Sequence, residues 1–409
     1  MPDIQAKAAE LIGRLERLPF SRWHLNLAIL ASIGVLFDAA DFALFGAALP
    51  PIAKEFGLGP AQAGLLATIG LVGAFVGALF WGTISDYIGR RPVIFGALLL
   101  NMAAQAMFIT ADSGAVLIAA RIVQGFATGA AITTLGATVL DTNRRTGPVI
   151  NSITAFTGLA VGALGAGALT AFAPDPAQLV YAVLFVLSAG FALLLWLMPE
   201  TAAGKPGALA SLRPQIHVPA QAWPVLVQVS PVNIAAWALG GFNLSLMPAL
   251  VRAATGLTSP FIGALVVGAV MGTAAVAVLA MRNSTPDKSL GIGAPALALG
   301  VALILAAVHL RNAPAMLAGA SVAGFGFGAA FSGLFRKLLP TAAAGERAGL
   351  LSAFYVQSYL AFAVPAILAG LAAPRIGLTA TATIYGAAVI LLAVTSLAIP
   401  RFSRARVTA

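Results

Sequence analysis

Twelve apolar runs alternate with short polar connections along this chain. They lie at approximately 24–48, 61–82, 92–110, 114–139, 148–171, 179–199, 228–250, 258–281, 289–308, 313–335, 348–371 and 377–399. Runs of about 20 residues without strand-like alternation are long enough to cross the hydrocarbon core as helices and do not read as barrel strands. The longest connection, 200–227, carries Lys205, Pro206, Arg213, Pro214, His217 and Pro219 and divides the pattern into six runs and six. The pattern predicts an all-α polytopic membrane protein with 12 transmembrane helices in two six-helix bundles. The N-terminal bundle takes residues 1–199, a cytoplasmic central loop 200–227, and the C-terminal bundle 228–409.

Composition agrees with this picture. Of 409 residues, 60% are hydrophobic and 9% charged, whereas soluble domains are about 25% charged. A net charge of +10 would direct a soluble protein toward nucleic acid, but here the placement of the charges gives it another meaning. With the N-terminus inside, eighteen of the 23 Lys and Arg residues fall on the cytoplasmic side. Four (Lys54, Arg252, Arg311 and Arg375) fall outside, and Arg121 lies within a span. That bias sets orientation in membranes. It predicts an integral, multi-pass protein of the plasma (inner) membrane with both termini cytoplasmic, whose partner is the lipid bilayer and not nucleic acid. Residues 5–19 read either as an amphipathic helix lying on the cytoplasmic surface or as a disordered tail.

Cysteine is absent, and the three histidines, His24, His217 and His309, are far apart. Thiol nucleophiles, cysteine-bound metals, histidine metal clusters and catalytic triads are therefore excluded. The chain is not expected to be an enzyme, and no cofactor or metal is implied beyond a proton as coupling ion.

The chemistry is concentrated in a few intramembrane polar residues. Asp38 and Asp41 carry the only formal charges in the middle of the first span. A carboxylate there costs roughly 2.5–3.5 kcal/mol on insertion scales and belongs, as a rule, to an ion or proton path. Spaced three apart, the two share one helix face. Arg121 in span four needs a carboxylate, backbone carbonyls or an anionic solute. At 1.5 Å per residue, Asp41 and Arg121 each lie roughly 10 Å from the outer membrane boundary, at matching depth. Asp41 therefore has a candidate partner, and Asp38, which has none, is favoured as the proton carrier. Asn243, Tyr355 and Gln357 are further candidates for solute binding with Arg121; interhelical hydrogen bonding is the competing reading for each. Gly240-Gly241 and Pro248 predict a break in span seven near mid-depth.

The loop after span two reads Gly82-Thr-Ile-Ser-Asp86-Tyr-Ile-Gly89-Arg90-Arg91. This G-x3-D-x2-G-R-R pattern, between spans two and three, resembles the signature of the major facilitator superfamily. The six-plus-six arrangement and Pro199-Glu200-Thr201 after span six fit as well. The resemblance implies alternating access by rocking of two halves, a monomer, and a conformational gate at Gly82, Asp86, Gly89, Arg90 and Arg91. The corresponding stretch after span eight, Met281 to Lys288, is degenerate. Arg121-x2-Gln124-Gly125-x3-Gly129 is similar to an element of proton-coupled members. Asp38-x2-Asp41-x4-Gly46-x3-Pro50 looks like the run in proton symporters for aromatic acids and metabolites. Gly158-x3-Gly162 lies where drug antiporters carry a glycine-proline element, but Ala163 stands in place of the proline; close helix packing is the alternative. The expected function is proton-coupled symport of a small organic solute, a carboxylate being a candidate, with a proton-driven drug or metabolite efflux antiporter as the alternative.

Overall fold

The computed structural model describes residues 22–142, 147–173, 176–202, 204, 206, 217–343 and 346–407. The first half comprises α1 (Arg22–Glu55), α2 (Pro60–Ile88), α3 (Arg90–Ile109), α4 (Gly114–Thr142), α5 (Gly147–Phe172) and α6 (Pro176–Leu194). The second comprises α7 (Trp223–Ser245), α8 (Met247–Thr255), α9 (Pro260–Ala280), α10 (Pro286–His309), α11 (Ala313–Leu338), α12 (Arg347–Ile376) and α13 (Leu378–Val407). Ten stretches of the described residues are long and apolar enough to cross a membrane as helices. The fold is all-α and membrane-spanning. The predicted amphipathic segment at 5–19 and most of the central loop lie outside the described residues.

Most helices extend past the apolar runs that predict them. Span two ends at residue 82 by hydropathy, but α2 continues to Ile88. Hydropathy marks the hydrocarbon slab, whereas backbone hydrogen bonding carries a helix on through the polar interface. Proline at the first helical turn starts α2, α9 and α10, where its missing N–H leaves no bond unmade. The side chain of Thr285 caps α10 by accepting from Lys288 N at 3.3 Å, and Asn312 caps α11 by accepting from Ala315 N at 2.9 Å. Span seven is broken, but at Leu246, between α7 and α8, not at Gly240-Gly241. Pro248 opens α8 and cannot donate back into α7.

The two halves repeat one packing scheme. In the first, α2 and α3 lie against α4, and α1 against α5; in the second, α9 and α10 lie against α11, and α7 against α12. The halves meet along α5 with α9 and along α2 with α12. Small residues set the approach. A Cβ on Gly125 would strike the carbonyl of Gly70, and one on Gly129 that of Ala74. Gly158 and Gly162 likewise let α5 settle on Leu36, Ala39 and Ala40 of α1. Gly324 and Gly328 face α9, while Gly326 faces α10.

Overpacking such a seam costs about 1–3 kcal/mol. Gly125→Val is therefore expected to lower the melting temperature of the detergent-purified protein, followed by tryptophan fluorescence. Gly165→Ala, where a Cβ meets nothing within 4 Å, is expected to leave it unchanged or raise it. Equal melting temperatures for the two variants would refute the seam.

Candidate functional site

A polar network crosses the interior of the first half. Asp41 on α1 is fully buried and accepts three hydrogen bonds. Asn101 Nδ2 on α3 donates to Oδ2 at 2.9 Å, and Gln124 Nε2 on α4 donates to Oδ1 and Oδ2, each at 3.1 Å. Gln124 Oε1 in turn accepts from Arg121 Nη1 at 2.6 Å. Arg121 Nε donates to the Leu66 carbonyl of α2 at 3.4 Å. Sequence spacing placed Asp41 and Arg121 at equal depth; in the structure Gln124 links them. An i,i+3 pair on α4 lets Arg121 and Gln124 share a face. Arg121 is 2% exposed. Its guanidinium fits because position 70 is glycine: a Cβ there would sit 2.9 Å from Cζ.

Asp38 lies one turn away on α1 and is 5% exposed, with Oδ2 lacking a hydrogen-bond partner among the described residues. It borders a small cavity formed with Asn101, Ala97, Ala127 and neighbouring apolar side chains. Ser188 on α6 donates to Gln105 Oε1 at 3.1 Å, extending the polar interior from α3 to α6. Across the interface between the halves, Tyr359 of α12 is near enough to Asp38 to feel its charge.

The second half contributes rings more than charges. Trp237 of α7 is flanked by Tyr359 at 5.8 Å and by Phe331 and Phe362, each at 6.4 Å between centroids. Phe331 also meets Phe156 of α5 at 5.7 Å, across the two halves. Tyr355 stacks on Tyr359 at 6.1 Å. Gln357 donates to Ser230 Oγ at 2.8 Å and accepts from Asn233 at 3.0 Å. Asn243 is fully buried and donates to the Val267 carbonyl of α9 at 3.2 Å. Asn243 and Gln357 are thus engaged in contacts between helices, Tyr355 joins the ring cluster, and Arg121 belongs to the network of the other half.

The glycine-arginine motif forms a cluster of ion pairs and hydrogen bonds at one end of the first half. Gly82 lies in α2 and Gly89 turns the chain into α3 at φ 103°, a conformation that favours glycine. Both carboxylate oxygens of Glu200 cap α3, accepting from Arg90 N at 2.8 Å and Arg91 N at 3.0 Å. A carboxylate is favoured at a helix N-terminus, where free N–H groups converge. Arg90 pairs with Asp86 at 2.6 Å and Asp141 at 3.3 Å, and donates to Ser85 Oγ at 2.5 Å. Asp141 also accepts from Thr201 Oγ1 at 3.1 Å, and Arg91 Nη2 donates to the Met198 carbonyl. The partners described for Asp86, Arg90 and Arg91 belong to the first half, except Glu200, which directly follows it. Sequence reasoning named Gln124 and Glu200 only as parts of motifs and did not join Asp141 to Arg90; the i,i+3 spacing of Gln124 to Arg121 was a signal for the first network.

In the degenerate second-half turn, Arg336 of α11 takes over. It donates to the carbonyls of Met281 at 3.1 Å, Arg282 at 3.2 Å and Ser284 at 2.5 Å, and to Ser289 Oγ at 2.8 Å. Lys337 pairs with Asp287 at 2.6 Å.

Known proteins share this architecture. The crystal structure of the human organic anion transporter MFSD10 (TETRAN) superposes with a TM-score of 0.71 at 18% identity, covering 91% of this chain and 99% of that one. In sequence, the niacin transporter NiaP of Acinetobacter baylyi is 32% identical over 120 residues, 29% of this chain and 27% of that protein. The gallate transporter of Pseudomonas putida is 31% identical over 199 residues, 46% of this chain and 42% of that protein. The chain therefore matches less than half the length of either relative. The family model described as Major Facilitator Superfamily matches residues 31–355. With that match spanning both halves and their shared packing scheme, the chain belongs to the Major Facilitator Superfamily, a family of transporters and not of enzymes.

Proposed function

We propose that the protein is a proton symporter for a small organic acid. It works as a monomer in the plasma (inner) membrane, with both termini cytoplasmic and no cofactor beyond the coupling proton. The observation that carries this reading is the buried Asp41–Gln124–Arg121 relay with Asp38 beside it, whose Oδ2 has no hydrogen-bond partner among the described residues. Buried ionic groups are costly unless paired, and in a membrane protein they mark ion and substrate paths. Two of the relatives are named for niacin and gallate, both aromatic carboxylic acids. Such a solute suits a protein that offers a cation in one half and ring faces in the other. Arg121 supplies the cation, and Trp237, Phe331 and Tyr359 offer faces for an aromatic ring.

In the proposed cycle, Asp38 takes up a proton on one side of the membrane and releases it on the other. Asp41 stays hydrogen-bonded to Asn101 and Gln124 and holds Arg121 in place. The carboxylate of the solute shares Arg121, so proton and anion cross together. Asp86, Arg90 and Arg91, with Gly82 and Gly89 providing the backbone, form a latch that alternately tightens and frees the ends of α2, α3 and α4 as the halves rock. The efflux-antiporter reading draws on the R-x2-Q-G-x3-G element. Packing against α2 accounts for both glycines of that element in this chain, which leaves it less distinctive.

Proteoliposomes loaded at a higher internal pH test the reading with nicotinate and gallate as probes. The wild type is expected to accumulate one of them, and Asp38→Asn to lose accumulation while retaining exchange of the probe across the membrane. Accumulation undiminished in Asp38→Asn would exclude Asp38 as the proton carrier, and probe extrusion driven by external acid would favour antiport.

The latch gives a second expectation. Removing one charge-assisted partner costs about 1.5–3 kcal/mol. Glu200→Gln is therefore expected to slow turnover ~10-fold with little change in the half-saturating probe concentration. A change confined to affinity would contradict the latch.

A further inference from the structure

The cavity beside Asp38 lies inside the first half, not between the halves. It is bounded by α1 at Gly34, Phe37 and Asp38, by α3 from Ile94 to Asn101, by α4 at Ala127, Ala131 and Leu135, and by Phe191 of α6. Among the described residues, Asp38 and Asn101 are its polar lining, each 5% exposed. Each brings a buried oxygen, Asp38 Oδ2 and Asn101 Oδ1, that has no hydrogen-bond partner among the described residues. The orientation of the Asn101 amide is fixed, because its nitrogen donates to Asp41; turned over, two acceptors would face each other. The cavity has room for about one water molecule. Two acceptors bordering such a space call for an occupant that donates, and a water or hydronium does so.

The cavity also has a direction. Its lining residues spread from Asp38, Asn101 and Ala127 to Gly34, Ile94 and Leu135. Ile94 is four residues beyond Arg90, and Leu135 six residues short of Asp141, so it points toward the latch. Leu135 and Phe191 lie tight against Gly34, where a Cβ would come within 2.7 Å of each.

We propose that this cavity holds one water or hydronium between Asp38 Oδ2 and Asn101 Oδ1 and passes the proton to Asp38, separate from the path of the solute between the halves. Leu135 and Phe191 form its apolar closure. The inference rests on the reading of Asp38 as the proton carrier. The titratable groups around that residue are Asp41 on its own helix and Tyr359 on α12, with Arg121 on α4 beyond Asp41.

The test needs no solute. Full-length protein in liposomes is subjected to a pH jump and followed by infrared absorption of the protonated carboxyl group, assigned to Asp38 by its loss in Asp38→Asn. Ala97→Val and Ala127→Val fill the slot from opposite helices, so a folding defect in one leaves the other. Both are expected to slow protonation ~10-fold or more, while Leu98→Ala, which widens the slot, is expected to leave the rate unchanged or faster. Wild-type rates in both filled variants would overturn the water site. A carboxyl signal that survives Asp38→Asn would overturn the underlying assignment instead. Loss of the proton signal in sodium chloride but not in choline chloride would overturn the water-filled slot in favour of a sodium site.

Discussion

A guanidinium held away from water must be compensated where it stands, because isolated charges in an apolar interior are too costly to persist. In this protein that group is Arg121. Its demands fix much of the first half: a carbonyl from α2, an amide one turn along α4, a carboxylate from α1, and the absence of a side chain at Gly70. The α2–α4 seam is close because Gly125 and Gly129 let the backbones meet, and that closeness brings the Leu66 carbonyl within reach. Three helices are thus registered against one another by a single charge. The network is satisfied around Asp41 and open at Asp38, and this difference separates two carboxylates that sequence alone presents as a pair.

The parts of the molecule that follow from local periodicity were legible in the sequence. Apolar runs marked the membrane helices, the two intramembrane acids marked the interior of α1, and the depth argument put Asp41 level with Arg121. What remained hidden depends on residues far apart in sequence. Glu200 caps α3 across more than a hundred positions, and nothing in the run around Glu200 marks it as a cap. Asp141 closes α4, and nothing near it in sequence marks it as a partner of Arg90 and Thr201. The break in span seven was legible as a tendency, since Gly240, Gly241 and Pro248 all weaken a helix. Its position was set by packing: Gly241 presses on the Phe362 backbone of α12 and keeps its helical turn, so the chain yields at Leu246.

The two halves repeat a scaffold but divide the chemistry. At the latch end, the first half places an acid, Asp141, at the close of α4 to receive an arginine from the α2–α3 turn. The second half places Arg336 at the close of α11 to receive the carbonyls of the α9–α10 turn. The polarity of the contact is reversed while its place in the repeat is kept. A carboxylate can release its arginine to another anion or to a change of partner, whereas backbone carbonyls are bound to their turn and offer no such exchange. The interior follows the same division, with titratable groups gathered around α1 and α4 and rings around α7, α11 and α12. On the proposed reading, one half is the element whose charge state changes and the other a comparatively fixed surface against which it moves. On the same reading, Phe156, reaching from α5 to Phe327 and Phe331 of α11, is a contact through which a shift in the first half would reach the ring cluster of the second.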